Sequence, residues 1–139
     1  MELNSDMVKE PLVSVVISNW NCVQFLEKCI ISVLTSNYEN KEVILVDDAS
    51  TDGSAELAKS LFGNHNRVKI ITSQENKGLA AVLNRGVSES RGEYIVFMHS
   101  DTYVDPDWLK PLINALESDN SIGAVQGKIL SMEVPDVIL

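Results

Sequence analysis

Residues 43–53 read VILVDDASTDG, an apolar and largely β-branched run that ends in two adjacent carboxylates and a polar turn. Such a run predicts a buried strand whose carboxyl end carries Asp47 and Asp48. A second run, YIVFMHSD at residues 94–101, brings Asp101 to its own carboxyl end. Because ligands of open α/β sheets bind at the carboxyl edge of the strands, these two acidic strand ends predict a site for a metal-bound, phosphate-bearing ligand.

Composition and net charge indicate a single ordinary globular domain. The chain has 139 residues, of which 45% are hydrophobic and 22% charged, enough for one real core. Its formal net charge of -9 argues against nucleic acid as a partner, because binding a phosphate backbone needs a basic face. A nucleotide diphosphate is compatible with this charge, since a bound divalent cation reverses the local sign.

The cysteines and the ends of the chain bear on its location. Cys29 falls on the apolar face of a predicted helix, so we expect a buried thiol in a reducing compartment rather than a disulfide. No segment approaches the roughly 20 apolar residues of a membrane span. We therefore expect a cytoplasmic location, with contact to the inner membrane face left to regions outside this chain. The apolar ending, residues 135–139, is interpreted as a cut through a longer protein.

Apolar patterns typical of strands and helices alternate along the chain. They predict strands at residues 12–18, 42–47, 68–72, 93–98 and 122–129. They predict helices that follow Asn21 as N-cap, span Ser54–Phe62, begin near Gly78 with Leu79, Val82, Leu83 and Val87 inward, and span Pro106–Ser118. The alternation predicts an α/β fold, a Rossmann-like and mainly parallel sheet with helices on both faces. We divide the chain into a polar tail at 1–11 and one domain at 12–139.

The two adjacent aspartates need separate interpretations, because successive side chains of a strand point to opposite faces. Asp48 stands at the strand tip, where it can accept a hydrogen bond from a ligand such as a nucleobase N–H. The alternative is a bond from Asp48 to backbone groups of the turn. We favour the ligand role for Asp48 and a structural role for Asp47, and we interpret Asp52 as a turn or helix-capping residue.

The second acidic strand end supplies candidate metal ligands. Mg²⁺ commonly takes one or two protein carboxylates and completes its shell with phosphate oxygens and water, so Asp101 alone suffices in principle. The imidazole of His99 suits Mn²⁺ or Zn²⁺ better than Mg²⁺, although a structural hydrogen-bonding role is the favoured interpretation. Lys77 and the backbone N–H groups at Gly78 are a candidate anion contact at a helix start. Trp20 either walls a ligand pocket or packs inside.

Other charged residues receive no chemical role. Asp105 and Asp107 are explained as first-turn charges of the predicted helix, and Arg85 and Arg91 as solvated surface charges. The sequence contains no Gly-x-Ser-x-Gly elbow, Walker-type glycine loop or dinucleotide fingerprint. The usual hydrolases, NTPases and dehydrogenases are thereby disfavoured.

Four ordered groups of residues resemble the amino-terminal motifs of family 2 glycosyltransferases with the GT-A fold, which implies a truncated GT-A domain. They are VSVVISNWN at 13–21, EVILVDDASTDGS at 42–54, ENKG and NRG within 75–86, and RGEYI, FMHSD and PDWL within 91–109. Together they cover nearly the whole chain.

The resemblance implies an inverting transfer of a sugar from a nucleotide diphosphate donor to an acceptor hydroxyl. The acceptor is then a glycan or a lipid-linked molecule, as in polysaccharide biosynthesis. By this resemblance Ser18 and Asp48 contact the nucleobase. Gly78 and Asn84 lie in the segment beside the ribose and diphosphate, with Lys77 next to them.

The same resemblance gives the metal site and leaves the base open. Asp101 matches the last carboxylate of the family's Asp-x-Asp motif for Mn²⁺ or Mg²⁺, and His99 stands where its first aspartate usually is. The catalytic base is expected beyond Leu139, so we expect this chain to be a donor-binding half that is inactive alone. A non-catalytic nucleotide-sugar-binding or interaction module is the alternative, and a receiver-type signalling domain a remote one.

Overall fold

The computed structural model describes residues 10–133 and Ile138, so nearly all of the expected tail at 1–11 lies outside the described residues. The chain divides into two units, one ending at Pro106 and one beginning at Asp107. The described elements alternate between strand and helix. They are β1 (Val13–Asn19), α1 (Val23–Leu34), β2 (Lys41–Asp47), α2 (Ser54–Phe62), β3 (Val68–Thr72), α3 (Leu79–Glu89), β4 (Tyr94–His99) and α4 (Leu109–Ser118).

The four strands form one parallel sheet in the order β3-β2-β1-β4. Every residue of β1 and β2 is buried, whereas the outer strands β3 and β4 are half exposed. This difference explains why the central strands read as continuous apolar runs. The chain moves outward from β1 to β3 and then returns to the other side of β1. The strand order therefore reverses between β1 and β4.

The helices of the first unit pack against the sheet, and the side chains of each strand point alternately toward its two faces. Val16, Ile44 and Val46 share one face and pack with Val82 of α3. Gly86 lets α3 approach, because a Cβ there would meet Val16 Cγ1 at 2.2 Å. Helices α1 and α2 pack together and contact β2 and β3, and right-handed crossovers place them on the opposite face. The predicted parallel α/β sheet flanked by helices is confirmed.

The start of α1 differs from its prediction. Asn21 is not the N-cap, since Cys22 occupies that position and Asn21 has a left-handed φ of 51°. The N–H of Val23 is instead bound by Asp52 Oδ2 at 2.8 Å, and Asp52 Oδ1 accepts bonds from Ser54 at the start of α2. Asp52 thus caps two helices, which confirms its capping role.

Two predictions for the second unit are wrong. Helix α4 begins at Leu109 rather than Pro106, after a turn, so Asp105 and Asp107 are not first-turn charges. Residues 122–129 form no strand, and two glycines, Gly123 and Gly127, weaken the run. The described part of this unit has instead an isolated antiparallel bridge between Leu130 and Ile138.

The inward face predicted for α3 is correct only in part. Val82 is buried and Leu83 is half-buried, as expected. Leu79 and Val87 are 49% and 40% exposed. Helix α3 therefore covers β1 and β2 with a narrower stripe than the sequence pattern suggested.

The amino edge of the sheet is held by a buried carboxylate, Glu42. Its Oε1 accepts hydrogen bonds from Ser14 Oγ at 2.7 Å and from the Arg91 N–H at 2.9 Å. Its Oε2 accepts from Arg91 Nε at 2.9 Å and Nη2 at 2.6 Å. Burial raises the pKa of Glu42, but the hydrogen bonds from Arg91 and Ser14 outweigh it and hold the pKa below its ordinary value. Arg91 is therefore not merely a solvated charge, as the sequence suggested.

We predict that Glu42→Gln lowers the free energy of unfolding by about 1.5–3 kcal/mol at neutral pH, the usual worth of a charge-assisted hydrogen bond. Because the folded-state pKa is lowered, this stability is present above the ordinary carboxyl pKa and is lost as pH falls through the folded-state pKa. Urea denaturation from neutral to acid pH measures both effects. Glu39→Gln is the control, since Glu39 is an exposed partner of Arg67. Equal losses in the two variants would contradict the prediction.

Candidate functional site

A cavity lies at the carboxyl edge of the sheet, where the strand order reverses between β1 and β4. It has a volume of about 470 Å³, within the range of small-ligand sites. Open α/β sheets bind ligands in the crevice at such a reversal. The cavity is lined by Ser18, Asn19, Trp20, Cys22, Asp48, Asn76, Gly78, Leu79, Val82, His99, Ser100 and Asp101.

Asp47 holds the two loops beneath the cavity together. This buried carboxylate accepts from Asn19 Nδ2 at 2.7 Å and from the Ser50 N–H at 3.0 Å. The loop after β1 is further tied to the loop after β2 by Asn21, whose Oδ1 accepts from the Thr51 N–H at 2.8 Å. These contacts agree with the structural role expected for Asp47.

Asp48 points to the other face of the sheet and holds the segment before α3. Its Oδ1 accepts from the Lys77 N–H at 2.9 Å and its Oδ2 from the Gly78 N–H at 2.8 Å. Gly78 has a φ of 80°, a left-handed conformation that suits glycine. Both N–H groups that the sequence offered to an anion are therefore engaged by Asp48. The sequence did not predict this contact, because the partners lie 29 and 30 residues apart.

Ser18 and His99 pair across the reversal between β1 and β4. The buried Ser18 Oγ lies 2.9 Å from His99 Nδ1 and donates to the Met98 carbonyl at 3.3 Å. The Ser100 N–H donates to the Ser18 carbonyl at 3.0 Å. Asp101 is the next residue and is exposed. Ser18, His99 and Asp101 therefore share one wall of the cavity.

The thiol of Cys29 is buried, as the sequence predicted, and its Sγ contacts the His99 carbonyl behind this wall. Burial raises its pKa to about 12, the nearby Asp101 carboxylate adds to that rise, and a hydrogen bond with the Thr102 backbone lowers it in part. Both cysteines are free thiols. Cys29 is thus an unreactive packing residue, while Cys22 lies in the cavity lining.

The cavity brings together most of the residues singled out from the sequence. Trp20 lines it and is 58% exposed, so it walls the cavity rather than packing inside the protein. Lys77 and Asn84 do not belong to its lining. The Lys77 ammonium lies 3.7 Å from Glu75 Oε1 on the surface, and Asn84 lies on the exposed side of α3.

Some lining residues were missed by the sequence reasoning. Asn76, Leu79 and Ser100 each sit next to a residue that was chosen, so proximity in the motif was the available signal. Asn19 carried the same signal, since it lies between Ser18 and Trp20, but its contact with Asp47 depends on strand register and could not be predicted. Its buried Oδ1 has no hydrogen-bond partner among the described residues.

The chemistry of this edge fits a cation that is shared with a ligand. Within residues 10–133 and 138, no group of three or more His, Cys, Asp or Glu side chains is arranged to hold a metal. Asp101 supplies one exposed carboxylate, and His99 a ring nitrogen on the same wall. One or two protein ligands are sufficient for Mg²⁺ or Mn²⁺ when phosphate oxygens complete the shell.

Comparisons with known proteins point to one family. A cholesterol galactosyltransferase of Borreliella burgdorferi is 37% identical over 116 residues, which are 84% of this chain and 32% of that protein. A hyaluronan synthase of Pasteurella multocida is 34% identical over 122 residues, 88% of this chain and 12% of that protein. The chain thus spans a third or less of these two curated relatives.

A solved structure supports the same family at the level of the fold. The mannosyltransferase PcManGT from Pyrobaculum calidifontis, in complex with GDP-Man and Mn²⁺, matches with a TM-score of 0.78 and 25% identity. The match covers 87% of this chain and 36% of that one. Among the described residues, no helix combines the length and apolar character needed to cross a membrane. The profile of glycosyl transferase family 2 matches residues 14–134, and the chain belongs to that family.

Proposed function

We propose that this chain binds the donor of an inverting glycosyltransferase, a nucleotide-diphosphate sugar whose sugar passes to an acceptor hydroxyl. The observation that carries the proposal is the cavity at the reversal between β1 and β4, with Asp101, His99 and Asp48 in its lining. The GDP-Man and Mn²⁺ bound to the mannosyltransferase of similar fold support a donor of this class. The donor's base and sugar stay unassigned.

In this proposal each wall of the cavity binds a different part of the donor. Trp20 offers an exposed aromatic face to a nucleobase, and stacking on such faces is favourable. A carboxylate has about four acceptor positions, so Asp48 can hold the Lys77–Gly78 segment and still accept from a nucleobase N–H. Ser18 lies on the other wall, which it shares with His99 and Asp101, and its bond to the Met98 carbonyl holds it there.

The diphosphate belongs near Asp101 in this proposal. Asp101 and His99 would hold a divalent cation there, and such a cation stabilises the departing diphosphate as a Lewis acid. The N-terminus of α3, which begins at Leu79 in the cavity lining, adds a positive dipole end. Without a cation, Asp101 would repel the diphosphate.

Acceptor activation is a separate task that we do not assign to the described residues. An inverting displacement needs a base within hydrogen-bond reach of the acceptor hydroxyl. Asp48 and Asp101 are the carboxylates in the described cavity lining, and both already have roles in donor binding. We also propose a cytoplasmic location, which the two free thiols support.

We predict that nucleotide binding requires a divalent cation and that Asp101→Asn weakens cation-dependent binding by roughly tenfold or more, since even the partners of metal ligands are worth roughly 10–100-fold in affinity. Titration calorimetry with UDP, dTDP and GDP, each with Mn²⁺, Mg²⁺ or EDTA, measures this. Asp105→Asn is the matched control, since Asp105 is exposed and outside the cavity lining. Equal affinity in EDTA would remove the metal role given to Asp101.

We predict that Asp48→Asn loosens the segment before α3, because the new amide places an NH₂ group against a backbone N–H. Exchange of the Lys77 and Gly78 amide protons should accelerate by roughly tenfold or more, the effect of losing a charge-assisted hydrogen bond. Hydrogen-exchange NMR measures these amides directly. Asp47→Asn is the control and should affect the Ser50 amide instead. Unchanged exchange at Lys77 and Gly78 in Asp48→Asn would refute the positioning role.

A further inference from the structure

The pair formed by Ser18 and His99 fixes the state of the histidine ring. Ser18 Oγ lies 3.3 Å from the Met98 carbonyl oxygen and 2.9 Å from His99 Nδ1. A hydroxyl has one proton to donate, and a carbonyl oxygen can only accept. Both contacts are hydrogen bonds only if Ser18 donates to Met98 and His99 donates from Nδ1. In the neutral ring the lone pair then lies on Nε2.

A ring in this state is prepared to bind a metal. Histidine ligands commonly donate their other ring N–H to a fixed acceptor, which sets the tautomer and the orientation of the ring. Ser18 is suited to be that acceptor, since it is only 7% exposed and sits in the fully buried strand β1. His99 itself is exposed and lines the same cavity as Asp101.

We propose that His99, oriented by Ser18, is a nitrogen ligand of the donor's cation and makes this site select Mn²⁺ over Mg²⁺. The proposal rests on the proposed function, because the cation also needs Asp101 and a diphosphate. Mg²⁺ takes oxygen ligands almost exclusively and dehydrates reluctantly. Mn²⁺ also favours oxygen ligands, but as a transition-metal ion it accepts an imidazole nitrogen beside them more readily than Mg²⁺ does. A histidine at this position therefore changes which cation binds together with the donor.

Electron spin echo envelope modulation of Mn²⁺ tests the ligand directly and does not depend on activity. The chain is mixed with Mn²⁺ and UDP, or with Mn²⁺ and GDP, at a fixed pH. We expect nitrogen-14 modulation typical of a bound imidazole, lost in His99→Gln and kept in His65→Gln. His65 is the matched control, because it is the other of the two histidines and is exposed.

Two variants then test selectivity and orientation. His99→Asp should lower the ratio of Mn²⁺ to Mg²⁺ affinity, measured by calorimetry with the same nucleotide, by roughly tenfold or more. Ser18→Ala should weaken Mn²⁺-dependent nucleotide affinity by roughly tenfold, as removal of a histidine's partner does, with a smaller effect in the presence of Mg²⁺. Equal effects of Ser18→Ala with both cations would show that Ser18 supports only the cavity wall.

The outcomes separate this proposal from the proposed function. Nucleotide-dependent Mn²⁺ binding without nitrogen modulation would overturn the role of His99 and leave the donor site in place. An unchanged Mn²⁺ to Mg²⁺ ratio in His99→Asp would overturn the selectivity in the same way. The absence of nucleotide-dependent binding with either cation would overturn both proposals together.

Discussion

The reversal of strand order beside β1 is the constraint on which the rest of the molecule depends. Successive right-handed crossovers carry the chain outward to β3, and the next one carries it back across β1 to β4. This return brings the chain just before β4 close to the backbone of β1. Gly92 makes the approach possible, since a Cβ there would meet the Ser14 backbone nitrogen at 2.6 Å. The crevice that opens at the carboxyl edge between β1 and β4 is where the cavity lies.

Strand alternation then gives the two adjacent aspartates different tasks. Asp47 faces the loops after β1 and β2 and bonds Asn19 and Ser50. Asp48 faces the opposite side and holds the Lys77 and Gly78 amides. One carboxylate therefore fixes the floor of the cavity and the other fixes the start of α3. Both carboxylates lie at the edge where the proposed diphosphate would bind, which is the physical reason for proposing a cation there.

The sequence predicted well what local patterns encode. The four strands of the sheet, the helices of the first unit and the acidic strand ends all follow from periodicity and from the position of carboxylates in a run. The sequence patterns did not predict hydrogen bonds between residues that are distant in the chain. The cap of α1 comes from Asp52, and the partner of Arg91 is Glu42, 49 residues away. The strand predicted at 122–129 does not form, and Gly123 and Gly127 interrupt that apolar run.

The central claim is that a nucleotide and its cation bind at the carboxyl edge beside Asp101. Paramagnetic relaxation in nitrogen-15 NMR spectra tests it most directly, with a substoichiometric amount of Mn²⁺ added in the presence of UDP or GDP. The account predicts that the amide signals of His99, Ser100 and Asp101 broaden first and only with nucleotide present. Signals at the opposite edge, around Glu42 and Gly92, should stay sharp. Broadening centred on Glu42, or broadening independent of nucleotide, would contradict the account.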